Sequence, residues 1–147
     1  MKINLSRALK EKNRLIKKIK DIQNFIQMNN VFCENENKID VISQAEELEK
    51  NINKLVDLKS AIAKANSERG ISYLVYKMEE LKSLASFYKR FSTKTNVYSY
   101  DEEGERVRQI AQIDYENSVK TVSYLEQQIE DIQDQIDDLN ATTFIEI

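Results

Sequence analysis

Apolar residues recur at helical intervals along most of this 147-residue chain, and the breaks between the recurrences mark its elements. Leu5, Ala8, Leu9, Leu15, Ile16, Ile19, Ile22, Phe25 and Ile26 predict a first helix over about 4–28. Asn4 or Ser6 is placed to cap it, a side-chain oxygen accepting from N–H groups that lack helical partners. The stretch NNVFCENENK (29–38) has four asparagines and no period, so it reads as a loop. Asp40 then caps a second helix over about 40–66, with Val41, Ala45, Leu48, Ile52, Leu55, Val56, Lys59 and Ile62 on one stripe. Gly70 suits the left-handed turn that ends it. Ser72 caps a third helix, about 72–91, which turns Leu74, Met78, Leu81, Ala85 and Tyr88 inward.

The period changes in TNVYSYDEEGERVRQIAQI (95–113), where β-branched and aromatic residues flank an acidic turn containing Gly104. That pattern predicts a β-hairpin over about 94–112. With Glu102-Glu103-Gly104 as a three-residue loop, Tyr100 faces Arg106 and Tyr98 faces Arg108. A slip by one residue would set Tyr98 opposite Val107. Asp114 caps the last helix, about 115–140, where Val122, Leu125, Ile129, Ile132, Ile136 and Leu139 form a heptad seam. The tail ATTFIEI extends along a neighbour. The fold class expected is mainly α: a four-helix antiparallel bundle, one domain over 1–147, with a β-hairpin inserted between helices 3 and 4.

Composition supports long helices, since the chain has no proline and two glycines. Charge adds a pairing rule. Residues 1–20 hold eight basic side chains and one acid, whereas residues 121–147 hold seven acids and no base. Laid side by side over the apolar seam, within one subunit or between two, the two ends relieve each other's repulsion. Exposed pairs contribute only about 0–1 kcal/mol each, against roughly 1.5–3 kcal/mol for a fully buried Ile or Leu. Burial therefore sets stability, and charge selects the partner. The net charge of −3 implies no general attraction to nucleic acid. No apolar run is long enough for a membrane span. With the lone Cys33 unable to form an internal disulfide, a cytoplasmic setting is expected.

Absence of histidine removes the commonest general base and metal ligand. Carboxylates remain, at Glu46, Glu47 and Glu49, at Glu79 and Glu80, and at Asp101, Glu102, Glu103 and Glu105. Magnesium needs convergent oxygens. Glu46-Glu47 is followed by Lys50, and Glu79-Glu80 by Ser83 and Leu84, so neither cluster completes a two-carboxylate metal pattern. The chain is therefore read as a non-enzyme, with no catalytic residue, metal site or cofactor. Cys33 lies among carboxylates, which disfavour its thiolate.

Several segments resemble a small helical family of bacteria and their phages, the septicolysin-like family, whose function is unknown. LSRALKEKNRLIKKIKDI is similar to its opening helix, and IAKANSERGI to a helix end. RVRQIAQIDYENSV followed by LNATTF is similar to its Ile-Lys strand, its Asp opening the final helix, and its closing Asn-Trp-Thr-Thr. Val107-Arg108, Asp114, Asn140, Thr142 and Thr143 keep that pattern, while Ala141 stands in the tryptophan's place, so no role of that ring carries over. The resemblance implies a helical bundle with a hairpin that assembles into homo-oligomers, located in the host cytoplasm if phage-encoded.

The hairpin carries the candidate site. Tyr98, Tyr100, Arg106 and Arg108 alternate onto one face, with Arg90 and Lys94 just upstream. Tyrosine rings stack and guanidinium groups hold phosphate in bidentate fashion, which suits a nucleotide-like anion. The plainer reading is a cross-strand ladder. Asn66 and Asn140, near helix ends, would add hydrogen bonds. The expected function is a non-enzymatic homo-oligomer binding a small anionic ligand at a subunit junction, in its concrete form a phage protein sequestering a nucleotide immune signal. The alternative is a structural or adaptor coiled coil that binds another protein. Neither nucleic acid nor a membrane is expected as partner.

Overall fold

The computed structural model describes the backbone of residues 1–147 and every side chain except that of Val97. The order of elements is β1 (Lys2–Asn4), α1 (Leu5–Asn29), α2 (Ile42–Glu68), α3 (Ile71–Arg90), β2 (Val97–Tyr100), β3 (Arg106–Gln109), α4 (Tyr115–Thr142) and β4 (Phe144–Glu146). The protein is mainly helical, with four helices and a hairpin between the third and fourth. No helix is long and apolar enough to cross a membrane. The chain forms two compact units: a terminal unit of residues 1–71 and 137–147, and a hairpin unit of residues 72–136.

In the terminal unit α1 starts where Asn4 Oδ1 accepts the Arg7 N–H at 2.9 Å. The second helix starts two residues later than expected. Asp40 still caps it from outside, accepting from the N–H of Ile42 at 2.9 Å and from the Ser43 hydroxyl at 2.7 Å. α1 and α2 form an antiparallel pair around Leu5, Ala8, Ile22, Leu58, Ile62 and Ala65, all buried. The expected stripe on α2 holds at Leu48, Leu55 and Ile62 and departs at its other positions. Asn51 is 2% exposed, whereas Ile52 and Val56 turn outward. The inward positions are Leu48, Asn51, Leu55, Leu58, Ile62 and Ala65, alternating by three and four as a helix seam requires. Asn51 is tolerated there because Nδ2 donates to the Glu47 carbonyl at 2.7 Å and to Glu47 Oε1 at 2.9 Å.

The tail does extend along a neighbour, and that neighbour is the chain's own N-terminal strand. β1 and β4 pair antiparallel, with Ile3 opposite Ile145 and both buried. Leu5 N–H donating to the Thr143 carbonyl at 2.9 Å continues the ladder into α1. The two ends of the chain meet through these strands and through Asn4 Nδ2, which donates to the Ala141 carbonyl at 3.2 Å. α1 packs on α2, and its cross-helix ion pair is Lys18 Nζ to Glu47 Oε1 at 2.7 Å. Burial along the α1–α2 seam outweighs this exposed ion pair in holding the two helices together.

Gly70, at φ +72°, stands between the end of α2 and the first residue of α3. Ser72 therefore lies inside the helix and not at its cap. Near the end of α3, the Ser118 hydroxyl of α4 donates to the Tyr88 carbonyl at 2.9 Å, and Lys89 Nζ reaches Glu126 Oε1 at 2.7 Å. Asp114 caps α4 as expected, its Oδ1 accepting from Asn117 N–H at 2.8 Å. The seam on α4 is real: Leu125, Ile132 and Ile136 are buried, and Val122 and Ile129 are half-buried.

Candidate functional site

The hairpin is built from its turn outward. Gly104 has φ +81°, a conformation that a side chain would strain. Its N–H donates to the Asp101 carbonyl at 3.1 Å, and Asp101 N–H donates to the Glu105 carbonyl at 2.9 Å. The Asp101 carboxylate accepts from the N–H groups of Glu103 and Glu105 at 3.0 and 2.8 Å. This three-residue loop fixes the register: Tyr100 pairs with Arg106 and Tyr98 with Arg108. Both strands are shorter than the sequence pattern suggested. At the open end Asn96 adopts φ +59°, which asparagine tolerates, and its N–H donates to the Gln109 carbonyl at 3.1 Å.

Tyr98, Tyr100, Arg106 and Arg108 share one face by alternation, and every residue of β3 is exposed. The contacts run diagonally across the ladder. Arg106 places its guanidinium carbon 3.7 Å from the centre of the Tyr98 ring, not over its paired Tyr100. A stacked guanidinium keeps its N–H edge free in the ring-parallel plane. Arg108 Nη1 donates to Asn96 Oδ1 at 3.3 Å, which steadies that side chain. Tyr100 is 76% exposed, an uncovered ring.

The other expected residues belong to helices outside the hairpin. Arg90 ends α3, with its Nε donating to the Ser86 carbonyl at 3.3 Å. Asn66 and Asn140 belong to the terminal unit, each half-buried two residues inside its helix end. Among the described residues no cluster of three or more metal-ligating side chains occurs. Cys33 is exposed in the loop between α1 and α2.

A second feature escaped the sequence reading. The end of α3, residues 91–93 and the first turns of α4 enclose an open cleft of about 350 Å³. Tyr88, Phe91 and Tyr115 supply rings, while Lys89 and Glu126 form the ion pair at its wall. Tyr88 and Phe91 also meet edge to face, with centroids 5.5 Å apart. The signal was FYKRF at 87–91, three rings within one turn of a helix end. Compared with models of protein families, with curated proteins and with solved structures, the chain finds no match.

Proposed function

We propose that the protein is a non-enzymatic homo-oligomer that binds a small planar anion of the nucleotide class on the tyrosine–arginine face of its hairpin. The observation that carries this reading is the Arg106–Tyr98 stack at 3.7 Å beside Arg108 on exposed strands. Stacking fixes the guanidinium plane before a ligand arrives, so less conformational freedom is lost on binding. Arg106 and Arg108 hold phosphate oxygens, and the open Tyr100 ring stacks on a base. Glu102, Glu103 and Glu105 at the tip repel a long polyanion, which favours a small ligand over nucleic acid. In a phage setting such binding would sequester a nucleotide signal of host immunity.

Thermal melting in the presence of mono-, di- and cyclic nucleotides tests the reading. A ligand raises Tm according to RT ln(1 + [L]/Kd). Arg106→Ala and Arg108→Ala each remove the shift while leaving the helical circular dichroism intact. No shift with any nucleotide, or a shift that survives both substitutions, rules out this site.

A second reading is favoured by α3. Tyr73, Tyr76, Leu84 and Phe87 are all exposed, and their spacing puts them on one face of the helix. Such a face suits an adaptor that binds another protein. An adaptor shows no nucleotide shift, and Tyr76→Ala with Phe87→Ala weakens its capture of that protein.

A further inference from the structure

Two charged strips remain unanswered in the chain. Arg7, Lys10, Arg14 and Lys17 fall at intervals of three and four on α1, away from the side that buries Ala8 and Ile22. With Glu11 and Asn13 they line one shallow surface depression. Among the described residues Arg7, Lys10 and Lys17 have no ion-pair partner, and Arg14 has only Glu11 of its own helix, at 3.7 Å. On α4, Glu130, Asp134 and Asp138 recur every fourth residue, opposite buried Leu125, Ile132 and Ile136. Their carboxylates are likewise without a basic partner among the described residues. The nearby base Lys89 is committed to Glu126.

We infer that the basic strip of α1 docks on the acidic strip of α4 in a second copy of this chain. Each strip repels itself, and one contact relieves both. The strips match in reach, about 15 Å for residues 7–17 and about 12 Å for residues 130–138 at about 1.5 Å per residue. Both are presented on rigid helices, so few backbone torsions need to be fixed on docking. A polyanion would answer only the basic strip, and no ring lies between residues 7 and 17 to stack on bases. A second copy answers both. This inference names the surface of the proposed self-association and rests on it, but it does not depend on the hairpin ligand.

Molar mass in solution, measured by light scattering without nucleotide, tests it. The wild type is oligomeric at about 0.05 M salt and dissociates toward monomer at about 0.5 M, as screening shortens the reach of the charges. Lys10→Glu with Lys17→Glu, and separately Glu130→Lys with Asp134→Lys, each weaken self-association by roughly tenfold or more. Mixing the two variants restores the oligomer, because each reversed strip then meets its opposite. Circular dichroism of each variant checks that the helices persist. An oligomer indifferent to both reversals overturns the interface and leaves self-association standing. A monomer at every salt concentration overturns both. Capture of duplex DNA or anionic vesicles by the wild type, with no self-association, assigns the basic strip to another partner and also overturns the inference.

Discussion

Glu47 shows how one side chain ties two helices together. Its carboxylate accepts from Lys18 Nζ at 2.7 Å and from Asn51 Nδ2 at 2.9 Å. The Lys18 hydrogen bond above all, with the Asn51 amide second, lowers its pKa from 4.5 to about 2. A depressed carboxyl pKa contributes stability above the unfolded value, and that contribution is lost as pH falls through the folded value. Glu47→Gln should therefore lower Tm at neutral pH. The deficit should shrink between pH 4.5 and about 2 and close below that. Melting curves of both proteins across that range check it, and a deficit independent of pH would assign the loss to packing. Gly104 acts at the same scale through backbone alone. A Cβ there would meet nothing within 4 Å, yet φ is +81°. Gly104→Ala should cost about 1 kcal/mol in strain. The loss should show as faster amide exchange in residues 97–109, with exchange in the helices unchanged.

At the scale of elements, phase decides what a helix buries, and phase is where the sequence was hardest to read. On α4 the apolar residues are sparse and spaced by threes and fours, so a single face fits them, and the seam was legible. On α2, Ile52 and Val56 sit beside the true seam and widen the apolar arc. Hydrophobicity then points one residue away from Asn51, which the structure buries. A polar residue in a helix seam lowers stability and fixes register. Asn51→Leu should raise the urea midpoint of unfolding, and broadened α1 and α2 resonances should report a loosened register. The hairpin was legible for a different reason: its register follows from a three-residue loop ending in left-handed Gly104, which is local chemistry. The diagonal reach of Arg106 to Tyr98 was not legible, because it is a rotamer choice among neighbours that alternation alone cannot rank. Residue type near a helix end, as at Asn66 and Asn140, carries no spatial information about a site. The strands β1 and β4 have three residues each, too few to display a period of two, and each meets its partner only at the far end of the chain.

For the whole molecule that last pairing has a kinetic consequence. Ile3 opposes Ile145, so the ladder joins segments separated by almost the entire sequence. Closing so long a loop costs chain entropy that rises with the logarithm of its length, before any burial returns it. The α1–α2 pair, the hairpin and the junction of α3 with α4 are made from contacts much closer in sequence, and they can form first. The terminal ladder is then a late event that adds stability after the transition state. Ile145 is 7% exposed. Removing its branches by Ile145→Ala should destabilise the protein by about 2–5 kcal/mol. Because the contact is absent from the transition state, nearly all of that loss should appear as faster unfolding, with the refolding rate almost unchanged. Ile22→Ala, on the local α1–α2 seam, should slow refolding instead. Stopped-flow refolding and unfolding of the two variants separate these cases, and a slowed refolding limb for Ile145→Ala would place the ladder early and reverse the order argued from chain entropy.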